Sequence, residues 1–431
     1  MNKNKILLLV SLISRIFLGA FTVLILARSL VPSEYGFLVT IIAYSTIGSL
    51  FTDFGFAVQA LRDIGAEPHR AGEILAASIR VKNILVLLIS LLFAVGLVVA
   101  EIPADLVIPS IALYLSVISS SYCDLGAVAL RGVNQYAAET YAIAAGAVIF
   151  LVLLVAAALL SGSPTALCLA LFAGRFSQAF LCFAAVRRYM HLGNCLIGNL
   201  RQAFQFAKQS SGLAADSILT VIQGQIDIVL LSMVLSLHMT GSYQIVARLA
   251  NYVLLPTQVY AGIYIPSLSH GFKNGDPNVR RTERRMILEL FGYGTVMGAA
   301  FAFIAPIIAP HVFGSAYNVP WGVWLGFGLL LVVKGLTSSI GTSLIARRDV
   351  KFRVIGQAAS LTVLLTGFIV FVPIFGLVAA PMTLVAASLS TLTAYVIGVL
   401  RSNARIGQAE ANLERQAEAG LEKGGPDTLT T

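Results

Sequence analysis

Twelve stretches of this chain run for about 20 residues with almost no charge, the length an α-helix needs to cross about 30 Å of hydrocarbon. They fall at 6–28, 36–58, 83–100, 106–129, 139–160, 164–186, 210–235, 243–266, 287–310, 321–345, 353–375 and 377–400. In lipid every backbone amide and carbonyl must be paired inside the protein, so these spans are helices rather than open strands. Composition agrees: 58% of residues are hydrophobic and 11% charged, with a mean hydropathy of +0.86. A soluble domain carries about 25% charged residues. An ordinary cytosolic enzyme, a disordered chain and a disulfide scaffold are therefore excluded. Pro373, Gly376 and Pro381 divide the last long apolar stretch into two spans. The first span follows Lys3 and Lys5, but it is longer than a signal-peptide core and has no small-residue cleavage site, so it is expected to stay as a helix entered from the inside.

The net charge of +9 is distributed as a topology signal rather than as a nucleic-acid footprint. Lysines and arginines gather on alternate connections: Arg62, Arg70, Arg80 and Lys82; Arg131; Arg187, Arg188, Arg201 and Lys208; Lys273 to Arg285; and Arg347 to Arg353. The intervening connections 101–105, 161–163, 236–242, 311–320 and 376 hold none. This alternation places both termini in the cytoplasm. The expected fold is all-α and polytopic, with twelve transmembrane helices in two six-helix bundles. The bundles are expected at 1–186 and 210–400, joined by a basic cytoplasmic linker at 187–209 and followed by a cytoplasmic tail at 401–431, with a short helix over 408–423. Two echoes suggest a pseudo-repeat: Ser33-Glu34-Tyr35-Gly36 against Gly241-Ser242-Tyr243-Gln244, and Leu130-Arg131 against Ala346-Arg347. Duplicated halves are a usual plan of secondary transporters, with the substrate site at the repeat interface.

Cys123, Cys168 and Cys182 lie in apolar runs as small packing residues, and no Cys/His spacing supports a metal site or cofactor. No phosphate-binding loop for ATP is present. Tyr35, Tyr243, Trp321 and Trp324 fall at predicted outer boundaries, as interfacial anchors would. Pro256 and Pro306 are expected to kink their helices.

Ionisable residues inside spans are costly and mark functional sites by default. They are Arg15, Asp53, Asp124, Arg175, Asp216, Asp227, Arg248 and Lys334, with Arg28 and Arg62 at helix ends. At about 1.5 Å per residue, Arg15, Arg175 and Lys334 come to lie near mid-membrane. They suggest a wet cavity that receives an anion, since arginine grips phosphate through paired donors and lysine supplies a point charge. A diphosphate-headed lipid fits such a cavity. Asp53, Asp124 and Asp216 lie nearer the inner face. Either they form inner-gate pairs with Arg62, Arg131 or Lys208, or they serve a proton or sodium coupling site. Asp227 and Arg248 face each other across one short loop and are expected to pair.

Ser14-Arg15, Ala27-Arg28-Ser29-Leu30-Val31-Pro32-Ser33-Glu34-Tyr35-Gly36, Asp53-Phe54-Gly55 and Arg62 together resemble the opening of polysaccharide-biosynthesis membrane proteins. These are the O-antigen and exopolysaccharide flippases of the multidrug/oligosaccharidyl-lipid/polysaccharide exporter superfamily. The family usually carries Leu-Gly-Pro where this chain has Leu30-Val31-Pro32. Asp227, Gly241-Ser242-Tyr243, Arg248 and Phe313-Gly314 extend the likeness more loosely. The resemblance implies two six-helix bundles in a bacterial inner membrane that flip an undecaprenyl-diphosphate-linked oligosaccharide. It implies cavity cations on the first, seventh, eighth and tenth helices, matched here by Arg15, Arg248 and Lys334, whereas Arg175 is included on depth alone. The expected partners are the lipid-linked substrate, a proton or sodium gradient, membrane lipids, and a polysaccharide polymerase with other synthesis proteins. A cation-coupled multidrug exporter of the same superfamily and a membrane scaffold for polymer synthesis are the alternatives.

Overall fold

The computed structural model describes residues 17–190 and 221–423, apart from 54, 55, 275, 277, 315, 318, 348 and 350. The regular elements of the described residues are helices: α1 (Phe17–Ser29), α2 (Pro32–Asp53), α3 (Phe56–Ala66), α4 (Ala71–Val99), α5 (Ala104–Gly132), α6 (Tyr136–Leu160), α7 (Pro164–Tyr189), α8 (Val221–Val234), α9 (Leu237–Asn274), α10 (Val279–Phe303), α11 (Ala305–Phe313), α12 (Trp321–Ala346), α13 (Lys351–Phe375) and α14 (Ala379–Lys423). Within the described residues, each of the twelve predicted runs overlaps one or two of them. Eight segments among the described residues are long and apolar enough to cross a membrane, and the last of these, Lys351–Ala404, contains the final two runs. The chain is a multi-pass membrane protein of all-α fold.

Several boundaries differ from the expectation for local reasons. The third helix starts at Ala71, not at 83, so Arg80 and Lys82 belong to the helix rather than to a loop. Pro306 sits in the first turn of α11, where a missing N–H costs nothing, so the ninth run is two helices instead of one kinked one. Gly376 adopts φ +65 directly after α13, and only glycine takes that conformation cheaply. The predicted separate tail helix is absent: α14 runs unbroken from Ala379 to Lys423. Most of the predicted linker, 191–209, lies outside the described residues.

Lipid is legible in the packing. On α4, Leu87, Leu88, Leu91, Leu92, Val95 and Val98 are all exposed, and Leu160 at the end of α6 is 86% exposed. A water-soluble surface does not display such a continuous apolar face.

Contacts group the chain into two compact units. The first takes in Met1–Tyr252, Phe301–Leu325 and Thr366–Pro381; the second takes in Val253–Ala300, Gly326–Leu365 and Met382–Thr431. In the first, α5 and α7 run in fixed register. Ser116 Oγ donates to the Leu171 carbonyl at 3.3 Å, and Cys182 Sγ to the Cys123 carbonyl at 3.6 Å. The two members of the first sequence echo meet there. The start of α2 crosses the start of α9, and a Cβ on Gly36 would overlap the Leu237 carbonyl, while one on Gly241 would overlap the Pro32 carbonyl. Beside that crossing, Arg28 Nε donates to the Val312 carbonyl at 2.8 Å, and Tyr317 Oη donates to the Leu30 carbonyl at 3.0 Å. Tyr35, Tyr243 and Trp324, expected as interfacial anchors, are buried, whereas Trp321 is exposed.

The second unit packs Leu268, Val279, Met286, Leu290 and Ala346 into one core. Above it Arg347 grips Glu283 through both carboxylate oxygens at 2.7 and 2.8 Å and lies 4.2 Å from the Phe272 ring centroid. Ser343 and Asn403 complete its hydrogen bonds. The corresponding Arg131, in the last turn of α5, binds both oxygens of Glu139 at the start of α6, with Nε contacts at 2.8 and 2.9 Å, across a turn in which Asn134 has φ 61. Breaking a buried pair from one side strands the other charge and costs about 3–5 kcal/mol. Accordingly, Arg131→Ala, which strands the buried Glu139 carboxylate, should lower the melting temperature of the detergent-purified protein sharply, while Glu73→Ala on the surface should leave it near wild type. Gly241→Val should deplete folded protein from membranes, because overpacking a backbone contact costs about 1–3 kcal/mol or more; normal yield and melting temperature would contradict the crossing.

Candidate functional site

A cavity of about 410 Å³ opens within the first unit, between α1, α2, α5, α6, α7, α8 and α9. Helical spacing explains its lining. On α2, Tyr35, Leu38, Ile42, Thr46, Ser49 and Asp53 recur every three to four residues and so share one face. On α5, Ser116, Ser120 and Asp124 do the same. The apolar outer faces of these helices meet lipid, and the polar stripes meet one another.

Two of the predicted cations line this cavity, Arg175 and Arg248. Arg175 is held by an interlock of α6 and α7: Gly174 receives the Phe150 ring, and Gly146 receives the Gln178 side chain. Its guanidinium lies 5.0 Å from the Phe150 ring centroid and Nη1 donates to Gln178 Oε1 at 3.1 Å. Arg248 makes no hydrogen bond or ion pair among the described residues, and both guanidinium groups stand within electrostatic reach of the Tyr252 phenol. Two cations and a phenol converging on one pocket suit an anion with several oxygens.

The expected direct pairing of Asp227 with Arg248 does not form, although the arginine stands within electrostatic reach of the carboxylate. Asp227 is buried and accepts hydrogen bonds from Tyr243 Oη at 2.9 Å and from the Ile228 amide at 2.9 Å. A phenol and an amide satisfy the carboxylate, which leaves the arginine to the cavity. Lys334 lies exposed on α12 in the second unit. Arg15 and Asp216 lie outside the described residues.

Of the expected inner-gate pairings, those of Asp53, Arg62 and Arg131 differ, while Lys208 lies with Asp216 outside the described residues. Arg62 is exposed and binds its neighbour Asp63 at 2.9 Å, because α3 breaks away from α2 and turns it outward. Arg131 is taken by Glu139. Asp53 instead meets Lys82, and Ser121 hydrogen-bonds to both. Asp53 and Ser121 line the cavity; Lys82 sits one layer behind them, 4.9 Å from the Tyr122 ring centroid. Counting the third span from residue 83 hid Lys82. The signal was available: Ala71, Leu75, Ser78, Ile79 and Lys82 are spaced for one helical face, and all five are buried.

With this geometry in view, three solved structures are informative. The chain has a TM-score of 0.70 to a lipid II flippase MurJ in an inward closed conformation, at 14% identity, covering 91% of this chain and 87% of that one. It has the same score, 0.70, to the inward-facing conformation of a multidrug resistance MATE family transporter of the MOP superfamily, at 15% identity over 95% and 99% of the two chains. An outward-facing conformation of a MATE family transporter scores 0.55 at 13% identity, covering 93% and 94%. These three are flippases or transporters rather than enzymes, and at such identities they define the fold. No curated protein matches the chain. The profile of the polysaccharide biosynthesis protein family matches residues 1–272, which include the whole cavity lining. The chain therefore belongs to the polysaccharide biosynthesis protein family.

Proposed function

We propose that this protein flips an undecaprenyl-diphosphate-linked oligosaccharide, an O-antigen or exopolysaccharide repeat unit, across the bacterial inner membrane by alternating access. One observation carries the reading: Arg175 and Arg248 share a single cavity within the family-matched region. A diphosphate needs two or more cations to leave water, and a membrane interior supplies none except those that the protein brings. Lys334 and Arg15 extend the same set in this reading. Asp227, Asp124 and Asp216 are assigned to gating or to coupling with a proton or sodium gradient.

Asp53 and Asp124 on the cavity wall favour a second reading, an exporter of cationic drugs. That reading is weaker because Asp53 is already matched by Lys82.

Complementation of a deletion strain separates the two. Arg248→Ala and Lys334→Ala should each lower surface polysaccharide about tenfold or more, since a charge-assisted phosphate contact contributes about 1.5–3 kcal/mol, with the protein still present in the membrane. Susceptibility to cationic drugs should not change. Normal polymer in both variants, or a broad gain in drug sensitivity on deletion, would reject the flippase reading.

A further inference from the structure

Three ion pairs among the described residues have a member withdrawn almost fully from solvent, and they are not built alike. In Arg131–Glu139 the carboxylate is hidden, at 1% exposed; in Arg347–Glu283 both groups are hidden. Each uses arginine with a two-oxygen grip, the geometry of a permanent tie. In Lys82–Asp53 the order is inverted. The ammonium is 2% exposed and the carboxylate 41% exposed, opening on the cavity. Here the cation is lysine, a point charge with three rotatable donors that can change acceptor without losing a planar fork. Its other supports, Ser121 Oγ and the Tyr122 ring, stay in place if Asp53 leaves. A carboxylate at a wet wall can swing into water at small cost, whereas one sealed in the core cannot.

We infer that Lys82 is a concealed third cation of the cavity: a diphosphate reaching the α2 end of the wall displaces Asp53 and takes over the Lys82 ammonium and the Ser121 hydroxyl, so that Lys82 adds a second anion-binding position to the cavity that Arg175 and Arg248 line. This rests on the flippase reading and adds a selection step to it. No covalent bond changes; one anion replaces another on the same ammonium. A neutral lipid cannot make the exchange, and a cationic drug is repelled by it. The charged and titratable groups that share the cavity wall with Asp53 are Tyr35 on α2, Asp124 on α5, Arg175 on α7, and Arg248 and Tyr252 on α9, with Tyr122 beside Lys82. Because Asp53 ends α2 and Lys82 belongs to α4, the exchange also unfastens two helices of the first unit. Substrate binding is thereby tied to a mechanical release.

Purified full-length protein is titrated with undecaprenyl diphosphate in detergent, and its melting temperature is recorded for each variant. Asp53→Asn removes the competitor and should tighten binding about tenfold, the equivalent of about 1.4 kcal/mol. Removing both partners, in Asp53→Asn with Lys82→Met, leaves no stranded charge and is expected to fold. That double variant should bind at least about tenfold more weakly than Asp53→Asn, and more weakly than wild type. If Lys82 only neutralises Asp53, the double variant binds as wild type does, and that result overturns the inference, as does a folded Asp53→Asn with no gain. Should Asp53→Asn not fold, the double variant alone decides. Wild-type protein that fails to bind the diphosphate, with no effect of Arg248→Ala, sinks the flippase reading instead.

Discussion

A charge inside a bilayer must meet an opposite charge, a set of dipoles or water, and this one requirement organises most of the structure. Arg131 finds Glu139, Arg347 finds Glu283, and Lys82 finds Asp53. Asp227 is satisfied by a phenol and an amide. Arg248, with no hydrogen bond or ion pair among the described residues, stands on a cavity wall. Lipid supplies no hydrophobic drive for helices to associate, so close backbone approach at small residues has to do more of the holding. Gly36 with Gly241, Gly174 with Phe150, and Gly298 with Gly328 are among the places where it does.

The helical fold was largely legible in the sequence because lipid imposes one length and one pattern on every span. Twelve apolar runs and the alternation of basic loops can be read without any tertiary information. Boundaries were less legible where a polar residue is carried inside a helix. Lys82 falls just before the predicted third span and counts there as a loop residue, and Glu139 is the first residue of its span and is not singled out, yet packing buries both. Pro306 was read as a kink, yet at a first turn it starts a helix. The aromatic anchors failed for a related reason: Tyr35, Tyr243 and Trp324 have apolar bodies suited to an interface and equally to a core.

Of the site, the residue types were legible and the partners were not. Arg175 was singled out on depth alone, and the cavity contains it. Asp227 and Arg248 lie close in sequence with opposite sign, which made a pair the natural expectation. Sequence proximity says nothing about a tyrosine nearly two turns into the next helix, and Tyr243 takes the carboxylate. The echo between residues 33–36 and 241–244 gains physical meaning in the same region, since both copies supply the glycine of one crossing.

The contrast among the buried pairs bears on how a membrane bundle can be both stable and mobile. A pair that is sealed and bidentate resists exchange, because neither partner has anywhere better to go. Arg131–Glu139 and Arg347–Glu283 satisfy that description, and each fastens neighbouring elements near a helix end. A pair with its anion on a wet wall has an alternative at hand, and its stability depends on what occupies the cavity. Lys82–Asp53 is of that kind. A transporter needs both sorts: permanent ties to keep each bundle intact while it moves, and a replaceable one that lets substrate charge decide when movement begins. The side of the pair that faces water, more than the presence of the pair, distinguishes the two.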